Sequence, residues 1–329
     1  MQSPETISLT VRRAAAALQI RLQELGPQVR DAATGDPFYP QLAAAIRACL
    51  VELESTRLWG PENRLPSSQL WDAVGDTLCR GWLQNQARIK PRGYAGDYEM
   101  LARIYENRRC DDPLGRLLDR YFQEEAAPQA VRNRMQMMSE WIVAAAETTA
   151  HPLRVAIVGS AFGLEVRDAL LALQPAQRSR IAVTLLDMDP AALAFAREQL
   201  TGLLPEQQIV STATNVFRLA DRPRLAEPLA GSHLLFCPGL FDYLDDASAT
   251  AMLRLFWNCL APEGRATIFQ FAPHNPSRGY MEWLGNWYLL YRDAEQCRAL
   301  AQQAGIPPAA VEIGAEGQGI DLFLTVRRV

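Results

Sequence analysis

The residues best suited to bind a nucleoside are two glycines and an aspartate near the middle of the chain. The segment RVAIVGSAFGLEV, residues 154–166, is an apolar run that turns at Gly159 and Gly163 into the helical pattern LEVRDALLAL. A second apolar run, VTLLDMDP, places Asp187 at its end. A strand, a glycine turn, a helix and an acid at the next strand tip form the crevice in which doubly wound α/β proteins hold a nucleoside. The ribose hydroxyls donate hydrogen bonds to that acid.

The glycine turn also indicates which nucleoside cofactor is bound. A dinucleotide-binding turn has the pattern G-x-G-x-x-G, whereas this chain has Ala161 at the second glycine and Leu164 at the third. Glu165, just past the turn, would repel a pyrophosphate but suits a cationic ligand. S-adenosylmethionine (SAM) has no phosphate and carries a positive sulfonium. The turn therefore favours SAM over a nicotinamide dinucleotide.

Neighbouring strand ends are expected to complete the cofactor site. Asp187 is assigned to the ribose and Met188 to the face of the adenine. Asn215 is assigned to the adenine edge, although asparagine in such a position often only forms a turn. Asp189, before Pro190, is expected to cap the next helix. The other expected cofactor contacts lie in the glycine turn and after the third and fourth strands: Ser160, Val216, Pro238 and Gly239.

Seven strand candidates follow residue 150, and helical patterns separate the first five. The candidates are 155–158, 182–186, 209–213, 233–237, 266–271, 311–313 and 322–326. Such alternation predicts a parallel sheet with helices on both faces. The last strand follows its predecessor after a short turn, GAEGQGI, so it should be antiparallel. Residues 151–329 are therefore predicted to form the α/β, Rossmann-like, seven-stranded sheet of class I SAM-dependent methyltransferases, with the last strand antiparallel.

Residues 1–150 are predicted to form an all-helical N-terminal domain or lid. Segments such as VRRAAAALQIRLQEL and QLAAAIRACLVELESTRLW have apolar spacing near 3.6, and a further helix is predicted over residues 68–88. The loop KPRGYAGDYEM interrupts this half of the chain, with Asp97 as the N-cap of a helix. Either the loop is an ordinary capped helix start, or its polar residues take part in binding.

The segment after the fourth strand, LLFCPGLFDYLDD, and the aromatic segment after the fifth are predicted to face the reacting groups. An acceptor that must lose a proton needs a base, and four candidates are Asp242, Tyr243, His274 and Glu282. A carboxylate acceptor is already ionised and needs none. The aromatic rings either pack a helix or line an acceptor pocket. The predicted acceptor contacts here are Asn275, Arg278, Tyr280, Trp283, Trp287 and Tyr291.

Composition excludes several classes of function. The 329 residues carry a net charge of −4, which argues against non-specific binding of nucleic acid. The six cysteines are scattered without a CxxC pair, so neither a disulfide framework nor a metal site is predicted. The N-terminal residues show no signal segment, and no apolar run approaches the ~20 residues that span a bilayer. A cytoplasmic protein with a small-molecule acceptor is expected.

Five segments together resemble one bacterial family of class I SAM-dependent methyltransferases. They are KPRGYAGDYEM, VGSAFGLE, LLDMDP, GLFDYLDD and SRGYMEWLGNWYLLYRD, from about residue 85 to the end of the chain. The family's best-known members make methyl esters of 3-hydroxy fatty acids such as 3-hydroxypalmitic acid, the extracellular-factor type of signal. The resemblance also extends to enzymes of natural-product pathways that act on other small acceptors. Ala161 departs from the family, where a small polar residue or glycine is more usual.

The resemblance implies roles for the helical half. Tyr94 and Asp97 would close on the cofactor. Arg92, Arg132 or Arg134 would hold a carboxylate, either of SAM or of the acceptor, since arginine binds carboxylates bidentately. Of these, Arg134 is assigned to the cofactor and Arg92 to the acceptor. Residues 1–80, where the resemblance is weak or absent, would serve as an extra lid, a homodimer contact or an acyl-carrier docking surface.

Three functions are consistent with the sequence and with the family resemblance. The first is methyl transfer to a small molecule such as the carboxylate of a 3-hydroxy fatty acid. The second is N- or O-methylation of an amino-acid-like or aromatic acceptor in a natural-product pathway. The third is a non-catalytic SAM-binding protein, which the intact glycine turn and Asp187 disfavour.

Overall fold

The seven predicted strands are all present in the computed structural model, which describes residues 4–31, 36–149, 151–159 and 162–328. The strands are β1 (Leu153–Val158), β2 (Ile181–Asp187), β3 (Ile209–Ala213), β4 (Ser232–Cys237), β5 (Leu260–Phe271), β6 (Val311–Ala315) and β7 (Asp321–Arg327). The central strands β1 and β4 are buried at nearly every position, because helices cover both of their faces.

The strands form one sheet in the order β3-β2-β1-β4-β5-β7-β6. Strands β1 to β5 pair in parallel, and β7 pairs antiparallel with both β5 and β6. The predicted α/β sheet with an antiparallel last strand is confirmed. The carboxyl ends of the five parallel strands share one edge, called the carboxyl edge below. Strand β7 begins at that edge, where Asp321 pairs with Phe271 at the end of β5.

The chain divides into two compact units, each with its own core. The helical unit contains Met1–Gln129 and Pro276–Tyr288, and the sheet unit contains Ala130–Asn275 and Leu289–Val329. The predicted domain division at residue 150 stays a prediction. The segment 276–288, from which most of the acceptor contacts were predicted, belongs to the helical unit. None of the described helices is both long and apolar enough to cross a membrane.

The sheet unit carries helices on both faces. Along each strand, alternate side chains point to opposite faces. On one face, Trp141 of α7 (Ala126–Thr148) stacks with Phe236 and Phe269 at ring-centroid distances of 6.2 Å and meets Phe323 edge-on at 5.3 Å. On the other face a core contains residues of α11 (Asp246–Cys259) and α12 (Ala294–Gln303). The remaining helices are α8 (Leu164–Ala172), α9 (Pro175–Arg178) and α10 (Pro190–Leu200).

The described part of the helical unit contains helices and turns but no strand. Its helices are α1 (Pro4–Asp31), α2 (Tyr39–Glu54), α3 (Arg64–Leu78), α4 (Trp82–Ile89), α5 (Tyr98–Tyr105) and α6 (Pro113–Glu124). The single helix predicted over residues 68–88 is wrong, because the chain breaks between α3 and α4. A Cβ on Gly81 would lie 2.8 Å from Leu118 Cβ, so only glycine allows this approach. Asp119 Oδ1 accepts the Leu83 N–H at 2.9 Å, which stabilises the start of α4.

Replacing Trp141 with alanine should lower the free energy of unfolding by about 3 kcal/mol, because three ring contacts with the sheet are lost. Urea denaturation of the whole chain measures this loss. Leu171→Ala is the matched control, since Leu171 is 56% exposed and its truncation should change stability by less than about 0.5 kcal/mol. Equal losses in the two variants would show that Trp141 does not anchor α7.

Candidate functional site

The glycine turn at the end of β1 requires both of its glycines. Gly159 has a φ of +69° and donates its N–H to the Leu186 carbonyl at 2.8 Å. Among the described residues, and apart from its chain neighbours, no atom lies within 4 Å of where its Cβ would be, so those residues leave the space beside the turn open. Gly163 has a φ of +66°, and a Cβ there would lie 3.1 Å from Ala196 Cβ. Glycine at this position therefore also allows α8 to approach α10 closely. The predicted contacts Ser160 and Ala161 lie outside the described residues.

Asp187 and Asp189 have different partners at the end of β2. Asp187 is the last residue of the strand, is 6% exposed, and accepts the Asp189 N–H through Oδ1 at 2.9 Å. Asp189 Oδ1 accepts the Ala191 N–H at 2.9 Å and caps α10, with Pro190 as the first residue of the helix. Met188 is 43% exposed, so an apolar side chain lies open at the carboxyl edge. The predicted cap is present, and Asp187 and Met188 remain candidates for ribose and adenine.

The other predicted cofactor contacts lie in the turns after β3 and β4. Most of them bond or pack within the protein itself. Asn215 accepts the Phe217 N–H at 3.1 Å and caps a short turn, in agreement with the alternative that it forms a turn. The Val216 side chain lies in the hydrophobic core, and Pro238 is buried after β4. A Cβ on Gly239 would lie 3.7 Å from Arg134 Nη2, so the β4 turn passes close to that guanidinium group. The roles of these residues toward a cofactor stay predictions.

A cluster of buried charged side chains lies at the carboxyl edge of the sheet unit, and we call it the edge cluster. It consists of Arg134, Glu165, Asp242 and Asp321, each no more than 4% exposed. Arg134 Nη1 pairs with Asp321 Oδ2 at 3.0 Å. Asp242 Oδ1 accepts the Phe271 N–H at 2.8 Å and Gln270 Nε2–H at 2.9 Å. Within the described chain, no group of three or more potential ligands is arranged to hold a metal ion.

Three buried polar atoms of the edge cluster have no hydrogen-bond partner among the described residues: Arg134 Nε, Glu165 Oε2 and Asp321 Oδ1. An unsatisfied buried polar atom costs about 1–3 kcal/mol, so such atoms are rare and call for an explanation. One atom is a positively charged donor and two are carboxylate acceptors. That set is complementary to an α-amino acid, which presents one carboxylate and one ammonium group.

Burial raises the pKa values of the carboxyl groups in the edge cluster. Desolvation is the main cause for Glu165 and raises its pKa to about 7, against the opposing effect of Arg134. Burial and the nearby Asp321 raise the pKa of Asp242. Burial also raises the pKa of Asp321, although the ion pair with Arg134 opposes the shift. The cluster therefore binds protons more readily than exposed carboxylates do.

The turn between β6 and β7 holds the edge cluster in place. Its sequence, GAEGQGI, predicted a turn but not this role. Glu316, 3% exposed, accepts the N–H groups of Ile320 and Asp321 through Oε1 at 3.1 and 3.3 Å. Its Oε2 accepts from the Asn133 side chain. Asn133 and Arg134 of α7 thus each bond to this turn. The only sequence signal was an isolated acid among glycines in GAEGQGID, a composition that is also common in ordinary turns.

The four candidate bases do not lie in one group. Asp242 and Tyr243 are in the turn after β4, and His274 Nε2 is 2.9 Å from the Gly319 carbonyl oxygen. Glu282 belongs to the helical unit and is 1% exposed. Its Oε2 accepts from Gly60 N–H at 2.6 Å and Asn63 Nδ2 at 3.2 Å, and its Oε1 accepts from Arg278 Nε at 2.8 Å. These bonds give Glu282 a structural role. Any catalytic role stays a prediction.

The predicted acceptor contacts divide between the two units. Asn275, which is buried, and Tyr291 belong to the sheet unit. In the helical unit, the Tyr280 hydroxyl donates to Gln84, and its ring lies 5.3 Å from that of Tyr121. Trp283 is fully buried, and the Arg278 guanidinium lies 4.7 Å from the Trp59 ring centroid. Most of these aromatic rings pack within the helical unit, in agreement with the interpretation that they pack a helix.

The GYAGDY loop and the aromatic segment pack together inside the helical unit. Lys90 Nζ donates to the Asn286 carbonyl at 2.7 Å, and a Cβ on Gly96 would lie 3.0 Å from the Trp287 ring. Asp97 is 1% exposed, accepts the Met100 N–H at 3.0 Å and so caps α5, and also accepts from Gln86 Nε2 at 2.9 Å. Arg92 pairs with Glu99 at 3.5 Å. The roles of Tyr94, Asp97 and Arg92 in binding stay predictions.

Two solved structures resemble this chain over nearly its whole length. A possible exported protein from Bordetella parapertussis is 18% identical, with 100% of this chain and 99% of that chain covered and a TM-score of 0.57. The CurJ carbon methyltransferase is 12% identical, with 99% and 93% covered and a TM-score of 0.52. The likeness shows the fold, which is that of the class I methyltransferases with a helix-rich N-terminal region. No family model matches the sequence, and no curated protein matches it.

Replacing Asp97 with alanine should lower the free energy of unfolding by about 1–2 kcal/mol, because α5 loses its N-cap acceptor. Asp97→Asn is the matched control, since an asparagine oxygen caps the helix about as well. Chemical denaturation compares the two variants. Equal stability of Asp97→Ala and the unchanged chain would remove the cap as the reason for an aspartate at this position.

Proposed function

We propose that this chain is a SAM-dependent methyltransferase that acts on a small molecule. The observation that carries the proposal is the set of unpartnered buried atoms in the edge cluster, Arg134 Nε, Glu165 Oε2 and Asp321 Oδ1. These atoms lie at the edge where proteins with this kind of sheet bind nucleosides. They complement the carboxylate and the ammonium of an amino acid, and SAM is a nucleoside joined to an amino acid.

The charge of the edge cluster supports SAM over a nicotinamide dinucleotide. A pyrophosphate needs free backbone N–H groups or cations. Here the cluster has one guanidinium group, which is paired with Asp321 through Nη1 and has its buried Nε left for a ligand, and Glu165 lies in the first turn of α8. These carboxylates would repel the two negative charges of a pyrophosphate. They would attract the ammonium and sulfonium groups of SAM, whose single carboxylate would meet Arg134 Nε.

The nucleoside part would be held at the end of β2. The Asp187 carboxylate would accept the ribose hydroxyls, and the exposed Met188 would cover one face of the adenine. The open space beside Gly159 leaves room for the ligand next to the strand end. Asn215 would meet the adenine edge beyond its turn, after the third strand.

The bound cofactor supplies an electrophilic methyl group, and this chain contributes positioning. Arg134 would orient the cofactor's carboxylate, and Asp321 holds that guanidinium group through an ion pair buried at both ends. Asp242 and Gln270 fix the turn after β4 against the end of β5. Such fixed partners position the reactants and exclude water, which is most of what an in-line displacement needs.

A carboxylate is the acceptor that this arrangement favours. The candidate bases Asp242, Glu282 and His274 already have hydrogen-bond partners in the chain. A carboxylate is ionised at neutral pH and needs no base. The family resemblance names the 3-hydroxy fatty acids as the acceptor to test first, with amino-acid-like or aromatic acceptors as the alternative.

Asp187→Ala should weaken SAM affinity about 10- to 100-fold, because roughly 1–3 kcal/mol of charged hydrogen bonding to the ribose is lost. Calorimetric titration with SAM measures the change. Asp189→Ala is the matched control: it removes the α10 cap, so it should lower stability by about 1 kcal/mol and leave affinity nearly unchanged. Unchanged affinity in Asp187→Ala would rule out the ribose assignment, and tight binding of NAD without SAM would overturn the proposed function.

Purified protein with methyl-labelled SAM should transfer label to a carboxylic acid, forming an ester that mild alkali cleaves. The acceptors to compare are 3-hydroxy fatty acids, amino acids and aromatic acids. Alkali-stable label on an amine or phenol would favour the alternative acceptor class. Transfer to none of them, with SAM tightly bound, would favour a SAM-binding protein without this activity.

A further inference from the structure

Among the described residues, Glu165 has neither the ion pair that Asp321 makes nor the pair of donors that Asp242 has. Asp321 has Arg134 at 3.0 Å, and Asp242 has two hydrogen-bond donors on one oxygen. Glu165 is 1% exposed, and its Oε2 has no partner. Ionising a buried carboxyl group that has no partner costs free energy. Such a group therefore usually binds a proton or a cationic ligand.

The charged groups around Glu165 do not supply that cation. On its own helix, Arg167 pairs with Asp168 at 2.8 Å, so these two largely cancel. From α7, Arg134 is held by Asp321. Farther along the edge, Arg292 pairs with Asp246 and faces Asp242, and Glu316 adds another buried carboxylate. The buried thiols Cys237 and Cys297 lie near Asp242 and bring no positive charge. The carboxyl groups at the edge outnumber the arginines.

We propose that Glu165 holds a proton while the cofactor is absent and releases it to solvent when the positively charged amino-acid end of SAM binds. The inference rests on the proposed function. On binding, the O–H bond of the carboxyl group breaks, the proton passes to the buffer, and the carboxylate becomes the counter-charge of the ligand.

The direction of the pH dependence follows from this exchange. Burial raises the pKa of Glu165 to about 7, and a bound positive charge lowers it. Below that pKa, SAM must displace the proton, so affinity should rise with pH by up to about tenfold per unit for each proton released. S-adenosylhomocysteine keeps the ammonium but lacks the sulfonium, so its dependence should be shallower.

The test is calorimetric titration of the whole chain near pH 6.5 in two buffers that differ in ionisation enthalpy. The ligands are SAM, S-adenosylhomocysteine and 5′-methylthioadenosine, which lacks the amino-acid end. SAM should release roughly half to one proton, S-adenosylhomocysteine less, and 5′-methylthioadenosine close to none. Glu165→Gln should lose most of the release and should weaken SAM binding more at pH 8 than at pH 6.

Glu263→Gln, the same change at an exposed site, is the control and should behave as the unchanged chain. Infrared difference spectra give a second readout, because SAM should abolish the band of a protonated carboxyl group. If the heat of SAM binding were the same in both buffers, no proton would be exchanged on binding. That result would overturn this inference and leave the proposed function standing. A Glu165→Gln variant with the same proton release, or with equal weakening at every pH, would also overturn it. Failure of SAM to bind would overturn both.

Discussion

The ion pair between Arg134 and Asp321 is the contact on which the carboxyl edge depends. It joins α7, which precedes the sheet in the chain, to β7, its last strand, and both side chains are almost completely buried. Breaking a buried pair leaves one charge uncompensated, which typically costs about 3–5 kcal/mol. The neighbouring bond from Asn133 to Glu316 ties the same helix to the turn before β7. The start of β7 is therefore part of the carboxyl edge.

The apolar core and the polar edge are organised by different forces. The faces of the sheet are covered by rings and aliphatic side chains, such as Trp141 on one face and Phe256 on the other, and these contacts are not directional. The carboxyl edge instead depends on directed bonds, and three of its buried polar atoms are left without partners. The core supplies the stability that allows the edge to keep these unsatisfied atoms.

The sequence was sufficient for features that depend on local order. The strands were found from apolar runs, β7 was predicted to be antiparallel from the short turn before it, and the Asp189 cap was predicted from the Pro190 that follows. The break at Gly81 was missed because it depends on Leu118 and Asp119 in another helix. The Arg134–Asp321 pair joins residues far apart in the sequence, and no periodic pattern marks such a contact.

Glu282 shows that the role of a candidate site residue also depends on contacts that are distant in the sequence. Its charge and its aromatic neighbours suggested catalysis, but Gly60 and Asn63, which bond to it, lie in an early turn of the chain. Segment 276–288 leaves the sheet unit after β5 and is stabilised by the core of the helical unit. In the proposed function, the glycine turn, Asp187 and the edge cluster bind the cofactor, whereas most of the predicted acceptor contacts pack in the core of the helical unit. Substitutions that change acceptor choice should therefore be separable from those that change cofactor binding.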